Sequence, residues 1–184
     1  ITVRLYGKGD TVEEACDVVA KAEADIRREL CEEIFGVDGE SIADAAVALL
    51  KEEKARLLVA ESCTGGMLSS MLVGVPGVSE VFMEGIVSYA NTAKIERLGV
   101  DPAIIERHGA VSAETAMAMA EGLLADRSYP APLYSLATTG MAGPDGGTPE
   151  KPVGTVWSAC ARLNADGSGL TRAIRLNLVT NRLG

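Results

Sequence analysis

The sequence predicts a layered α/β/α domain on a mixed sheet, preceded by a small α+β linking segment. First, short apolar runs typical of buried strands alternate with segments whose apolar residues recur every three to four positions, as in helices. Second, two late strand-like runs flank the turn-forming residues 165–169, which adds an antiparallel pair. Third, Gly36 and Gly39 end a long helical pattern, so we expect a linking segment over 1–38 and the main domain over 41–184.

The predicted elements follow from local signals. Residues 2–6 alternate like a strand, and Thr11 with Glu14 forms a capping box for a helix over about 11–34. In the main domain, helices are predicted after Ser41, over 92–98, after Asp101 with Pro at the favoured first position, and after Ser112. Strands are predicted at 57–60, 85–89, 133–137, 153–163 and 170–178.

Composition limits the partners and the compartment. Acidic residues outnumber basic ones by 26 to 17, for a net charge of −9, which argues against nucleic acid as a partner. No run approaches the roughly 20 apolar residues of a membrane span, and nothing near the start resembles a signal peptide. We therefore expect a cytoplasmic protein without membrane contact. Because the chain starts with Ile1 rather than Met, we expect a fragment or a processed form of a longer protein.

Metal and thiol chemistry find little support in the sequence. The four cysteines have no C-x-x-C spacing, so we expect buried free thiols. His108 is the single histidine, which excludes a multi-histidine metal site, and its position at an apparent helix end suits a charge that complements the helix dipole. No metal is expected.

The first segment whose residues could bind a ligand or take part in catalysis is a strand that enters a polar turn and then an apolar helix. The turn contains Ser62, Thr64, Gly65 and Gly66, which offer hydroxyl donors and close backbone approach. Free amides at a helix start bind anions. A simple helix cap at Ser62 or Thr64 explains the same residues, and the spacing matches neither a P-loop nor a dinucleotide motif.

The second segment contains Ser79, Tyr89 and Lys94 within sixteen residues. These types can form a hydroxyl nucleophile with a lysine base, provided that burial or a neighbouring cation lowers the lysine pKa. The tyrosine could relay the proton or hold the serine. The alternative is that Tyr89 packs and Lys94 lies on the helix surface.

The third segment is a glycine-rich loop after a buried strand, where open α/β sheets bind ligands. It follows Thr138 and Thr139 and includes Gly140, Gly143 and Gly146. Such a density of glycine and proline favours close backbone approach to a ligand at least as much as simple turning.

Together the three segments resemble the C-terminal domain of the competence/damage-inducible CinA proteins, a family that includes the nicotinamide-mononucleotide deamidase PncC. The matching strings cover residues 60–66, 87–94, 98–100, 109–122 and 139–157. Residues 1–36 resemble the family's small linking domain. The resemblance implies hydrolysis of the carboxamide of nicotinamide mononucleotide to nicotinate mononucleotide and ammonia in pyridine-nucleotide salvage, without a cofactor.

The resemblance also implies residue roles. Ser79, Tyr89 and Lys94 would be catalytic. An arginine, matched by Arg182 with Arg175 as the alternative, would bind the phosphate. The family continues past this arginine into a closing helix that has no counterpart in the sequence. The remaining substrate-facing residues would be Ser62, Thr64, Gly65, Thr139 and Gly146.

Two further questions stay open on sequence alone. Ser62 is the rival nucleophile, because a helix N-terminus also favours an alkoxide. The alternative function is a non-catalytic module that binds a nucleotide or a protein in DNA uptake or repair. A homodimer is expected by default for a domain of this size.

Overall fold

The computed structural model describes residues 2–125 and 128–178. The chain divides into two units between Ala45 and Ala46, a few residues after the expected boundary. Within the first unit, helix α1 spans Val12–Leu30 and leads into a 3-10 turn, Cys31–Glu33. Thr11 caps α1, because its hydroxyl accepts a hydrogen bond from the Glu14 amide.

The predicted strand over residues 2–6 is wrong. Residues 2–9 form no strand, and the Tyr6 side chain is 84% exposed. All five strands of the described residues lie in the second unit. Residues 2–6 therefore have no partner strand within their own unit. Alternation is a signal for a strand only where another strand completes the ladder. The linking segment is therefore helical rather than α+β.

The second unit alternates strands and helices, as predicted. Helix α2, Ile42–Glu52, starts just before the division between the units. Ser41 caps it, since its hydroxyl accepts from the Asp44 amide. The remaining elements are β1 (Arg56–Glu61), α3 (Met67–Val73), a 3-10 turn (Val78–Glu80), β2 (Phe82–Val87), α4 (Asn91–Leu98), α5 (Pro102–His108), α6 (Ala113–Ala125), β3 (Leu133–Gly140), β4 (Thr155–Leu163) and β5 (Gly169–Asn177).

The five strands form one mixed sheet in the order β2-β1-β3-β4-β5. Strand β1 pairs in parallel with β2 and β3, while β3–β4 and β4–β5 are antiparallel. The predicted mixed sheet and the terminal hairpin are confirmed. Since β1, β2 and β3 are parallel, their carboxyl ends meet at one edge of the sheet, where such sheets hold ligands.

Helices cover both faces of β1, because its residues alternate between two apolar cores. Leu58 and Ala60 pack in a core with α4 and α6. Leu57 and Val59 pack on the other face with Val47 of α2 and with α3. Strand β1 is thus buried on both faces, and this holds the residues that follow it in a defined position.

The cysteines are free, as expected, but the prediction that they are buried is wrong. Cys16, Cys31 and Cys160 are exposed, and Cys63 is half-buried. Cys16 lies on α1, and none of the residues of this helix is buried. The apolar residues around Cys16 in the sequence therefore do not form a core. None of the helices in the described part of the chain is long and apolar enough to cross a membrane.

Candidate active site

The first part of the site is the turn between β1 and α3. Ser62 follows the last residue of β1 and extends its parallel pairing, since its amide donates to the Thr138 carbonyl at 3.0 Å. Gly65 and Gly66 then take positive φ angles of 60° and 101°, a conformation that side chains disfavour. The turn thereby reverses the chain into α3 and leaves Ser62 almost buried, at 7% exposure.

The second part is α4, which carries Lys94 into the same edge of the sheet. Strand β2 ends at Val87, and the Ser88 amide bonds to the Glu61 carbonyl at 2.8 Å, which ties the exit of β2 to the end of β1. Leu98 anchors α4 in the core. Lys94, one turn into this helix, is only 1% exposed, so the alternative of a surface lysine is wrong.

The amine of Lys94 contacts three oxygen atoms. Its Nζ donates to the carbonyls of Ser88 at 2.8 Å and Tyr89 at 3.0 Å, and it lies within hydrogen-bond distance, 3.0 Å, of Ser62 Oγ. Burial lowers the pKa of the Lys94 ammonium, and a negative charge on the nearby Cys63 sulfur would oppose this in part. The site therefore pairs a hydroxyl with a lysine that loses its proton more readily than an exposed one.

Cys63 is a poor candidate for the nucleophile. Burial raises the pKa of its thiol, so the reactive thiolate is disfavoured at neutral pH. The sulfur packs beside Gly140, where a Cβ would lie 3.0 Å from it. Cys63 therefore serves as a small side chain that packs against its neighbours.

Glu61, the last residue of β1, is a functional candidate that sequence reasoning missed. Its carboxylate is fully buried, at 0% exposure. Burial raises its pKa, but hydrogen bonds from Ser69, Thr64 and Leu68 outweigh this, so the pKa lies below its usual range. The available signal was an acidic residue that closes an apolar strand just before a helix start, a position where a carboxylate is favourable.

The carboxylate of Glu61 occupies the start of α3. It accepts from the amides of Gly66 and Leu68 at 3.0 Å and of Ser69 at 2.8 Å. The sequence leaves two interpretations open here, free amides that receive an anionic ligand or a helix cap at Ser62 or Thr64, and neither hydroxyl caps the helix. The chain's own carboxylate fills that role instead.

Two predicted substrate-facing threonines make internal contacts. Thr64 and Thr138 share a hydrogen bond between their hydroxyls at 2.9 Å, which links the turn to the end of β3. Thr139, at 1% exposure, donates to the Ala110 carbonyl at 2.8 Å. Gly65 differs from both, since a Cβ built there would meet nothing within 4 Å, so its surface is open to a ligand.

The structure does not bring Ser79 to Lys94. Ser79 is exposed, in the 3-10 turn that precedes β2, and the nearby Val81 carbonyl accepts from Leu57 at the start of β1. Lys94 lies beyond the other end of β2. Six strand residues at about 3.3 Å each separate these two edges of the sheet by about 20 Å.

Tyr89 lies at the rim of the site. Its backbone carbonyl accepts from Lys94, while its side chain is 59% exposed. The residue thus holds the lysine through its main chain and offers its phenol to the surface.

The glycine-rich loop after β3 packs closely upon itself. A Cβ on Gly143 would meet Val153 at 2.5 Å, and one on Gly154 would meet the Leu178 carbonyl at 1.8 Å. Gly146 is exposed, with a positive φ of 92°. Lys151 ties the loop to the end of α5 by donating to the His108 carbonyl at 2.7 Å. Gly143 is therefore explained by packing within the loop, and Gly154 by contact with the residue that follows β5.

Of the two arginines predicted to bind the phosphate, the structure describes only one. Arg182 lies outside the described residues. Arg175, on β5, is exposed and donates to the Glu150 carbonyl at 3.3 Å and toward Thr155 Oγ1 at 3.5 Å. Within residues 2–125 and 128–178, no cluster of His, Cys, Asp or Glu could hold a metal ion.

Fold and site together define an α/β protein with a buried serine–lysine contact at the carboxyl edge of its parallel strands. A sequence model of the CinA C-terminal domain matches residues 39–182. The chain belongs to the CinA C-terminal domain family.

Relatives and solved structures agree with this membership. A putative competence-damage inducible protein of Clostridium acetobutylicum is 45% identical over 157 residues, 85% of this chain, and one of Acetivibrio thermocellus is 46% identical over 161 residues, 88% of this chain. The matches span only 38% of either relative.

Two crystal structures share the fold. The competence/damage inducible protein CihA of Agrobacterium tumefaciens is 37% identical with a TM-score of 0.68, covering 81% of this chain and 87% of that one. A competence-damaged protein (CinA) superfamily protein of Escherichia coli is 29% identical with a TM-score of 0.66, covering 83% and 87%. The predicted fold class of the main domain is thereby confirmed.

Proposed function

We propose that the chain is an amidohydrolase that converts nicotinamide mononucleotide to nicotinate mononucleotide and ammonia, in the cytoplasm and without a cofactor. One observation carries the proposal, the 3.0 Å contact between the buried Lys94 Nζ and Ser62 Oγ. The substrate comes from the resemblance to the deamidases of the CinA family. Geometry favours Ser62 over Ser79 as the nucleophile.

The surroundings of Lys94 suit a neutral amine. A neutral amine has two N–H groups and one lone pair, whereas the ammonium form has three N–H groups. The carbonyls of Ser88 and Tyr89 accept two N–H groups. The lone pair is then free to accept the proton of Ser62, which is the arrangement that a general base requires. Burial, which lowers the pKa of Lys94, favours this form.

The reaction then proceeds in two halves. Lys94 takes the proton of Ser62 as Oγ attacks the carboxamide carbon, and the lysine returns that proton to the departing nitrogen, so that the C–N bond breaks and ammonia leaves. Water next attacks the resulting ester. Lys94 takes a proton from this water and gives it to Ser62 Oγ, which releases nicotinate mononucleotide and restores the enzyme. In this proposal the Tyr89 phenol assists the proton transfer to ammonia.

The oxyanion would lie against the amides at the beginning of the turn. The amide of Gly65 donates to the Ser62 carbonyl, and the amide of Met67 donates to the Thr64 carbonyl. Those of Gly66, Leu68 and Ser69 bond to Glu61, and those of Cys63 and Thr64 face the Cys63 sulfur, a weak acceptor. We assign the last two as oxyanion donors, each worth roughly 3–4 kcal/mol in known acyl-transfer sites.

The assay for the proposal is ammonia release from nicotinamide mononucleotide. We expect release by the parent chain, a loss of at least about 10³-fold in Ser62→Ala, and retention in the matched variant Ser79→Ala. Because removal of a catalytic nucleophile typically costs many powers of ten in kcat, the two serines are easily told apart. Loss in Ser79→Ala with retention in Ser62→Ala would contradict the assignment.

Substrate choice is tested in the same assay. Arg182→Ala should raise KM for the mononucleotide with little change for nicotinamide riboside, which lacks the phosphate. The same rise in Arg175→Ala instead would assign phosphate binding to the alternative arginine. Thermal stabilisation by nicotinate mononucleotide without any ammonia release would support the alternative, a non-catalytic binding module. Equal turnover of the riboside and the mononucleotide would indicate an amidase for another small carboxamide.

A further inference from the structure

We propose that Glu61 is a positioning residue that holds Ser62 against Lys94. The inference deepens the proposed function and rests on the role of Ser62 as nucleophile. Its basis is the buried hydrogen-bond cluster between the end of β1 and the start of α3.

Glu61 makes more hydrogen bonds than a helix cap needs. One oxygen accepts from the amides of Gly66 and Leu68, both at 3.0 Å. The other accepts from the amide of Ser69 at 2.8 Å and from its hydroxyl at 2.7 Å. These four donors, together with the Thr64 hydroxyl, converge on a carboxylate with no exposed surface, and hydrogen bonds to a charged acceptor are the strong ones.

These contacts fix both ends of the turn that carries Ser62. At one end the Ser62 amide donates to the Thr138 carbonyl. At the other, Glu61 binds Gly66, only four residues after Ser62. Successive residues at the end of a strand point to opposite faces, so Glu61 reaches toward α3 while Ser62 reaches toward Lys94. The carboxylate therefore braces the turn from the face opposite to the reaction.

The cluster requires a carboxylate in particular. Both oxygens of Glu61 accept, and each receives at least two donors. A glutamine of the same shape has one acceptor oxygen, and its NH₂ group would face two N–H or O–H donors. Glu61→Gln thus breaks half of the cluster while it preserves volume. The turn would then no longer be held in one position.

Loss of the brace has a predictable effect on reactivity. A displacement of about 1 Å in a reacting group costs about 10²-fold in rate. A loosened turn would also admit water to Lys94, which is otherwise 1% exposed. Hydration would restore the ordinary proton affinity of the amine, so the pH at which Ser62 becomes reactive would rise. The Cys63 thiol interacts electrostatically with Lys94, and Tyr89 lies in the adjacent loop; neither residue changes in this variant.

The experiment measures the rate at which a fluorophosphonate probe labels Ser62 in the full 184-residue chain between pH 6 and 10, with the labelled residue located by mass spectrometry. We expect the probe to label Glu61→Gln about 10²-fold more slowly than the parent. The rising limb of its profile of labelling rate against pH should lie at higher pH. Ser69→Ala removes one hydroxyl donor to Glu61, so its labelling rate should lie between those of the parent and Glu61→Gln, and the rising limb of its pH profile should move in the same direction. Ser135→Ala, which loses a buried hydroxyl that donates to the Ala120 carbonyl, is the matched control and should leave rate and limb unchanged.

Each outcome decides the proposal. The proposal is overturned if the labelling rate of Glu61→Gln lies within threefold of the parent's. It is also overturned if the rate falls only in proportion to the loss of folded protein, with the rising limb of the pH profile unmoved. If Glu61→Gln does not fold, an unchanged rate and limb in Ser69→Ala would overturn it. A parent chain that is not labelled at Ser62 also overturns it. Labelling of the parent at Ser62 without ammonia release from nicotinamide mononucleotide would instead refute the deamidase and leave the positioning role standing.

Discussion

Lys94→Arg separates the two roles that Lys94 has in the account. Arginine supplies N–H donors for the carbonyls of Ser88 and Tyr89, but it stays protonated in proteins and cannot serve as a base. General-base catalysis contributes about 10²–10⁴-fold, or about 2.7–5.4 kcal/mol at about 1.36 kcal/mol per tenfold. We expect kcat for ammonia release to fall by that factor across pH 6–10.

The cost in stability should be smaller than in a variant that removes the donors. The larger side chain enters a site that is only 1% exposed, and overpacking of this kind costs about 1–3 kcal/mol. Lys94→Met leaves two carbonyls without their donor, each at a cost of about 1–3 kcal/mol, so it should melt lower than Lys94→Arg. Lys51→Arg, at a half-buried lysine on α2 that pairs with Glu80, is the control and should match the parent.

General-base catalysis by Lys94 is refuted if Lys94→Arg retains kcat within threefold of the parent while it remains folded by circular dichroism. In that case the lysine would hold the turn without moving a proton. A kcat loss in Lys51→Arg of equal size would show that the assay reports general damage.

Three further predictions follow from the structure. Because burial lowers the pKa of Lys94 from 10.5, the rising limb of kcat/KM against pH should have its midpoint below 10.5, and a midpoint at or above that value would contradict the neutral base. Gly122→Ala should destabilise the fold, although alanine normally stabilises a helix interior by about 0.5–1 kcal/mol, since the new Cβ would lie 1.8 Å from the Leu98 carbonyl; a higher melting temperature would refute this close approach. Light scattering should give twice the chain mass of 19.1 kDa for the expected homodimer, and a monomer mass would refute it.

Most of the fold could be predicted because its signals are local. The residues that precede α2, α5 and α6, namely Ser41, Asp101 and Ser112, all accept hydrogen bonds from the first turns of their helices, as their side chains indicated. The strand at residues 2–6 failed because pairing is not local. Strand β2 runs over Phe82–Val87 rather than 85–89, so Ser88 and Tyr89 leave the strand and turn their carbonyls to Lys94.

The site could be predicted only in part. The sequence indicated that a serine and a lysine would react together, but Ser79 is nearer to Lys94 along the chain than Ser62 is. The contact with Ser62 joins residues 32 apart and depends on the parallel register that sets Glu61 beside Val87. Periodicity does not encode this register. Glu61 was missed for a related reason, since its role depends on how α3 folds back over the end of β1.

The most direct test of the account is to mix the chain with nicotinamide mononucleotide, stop the reaction rapidly in acid and locate any acylated residue by mass spectrometry. The account predicts a nicotinate-mononucleotide ester on Ser62 that is absent from Ser62→Ala. Ammonia release without a label on Ser62, or with the label on Ser79, would contradict it.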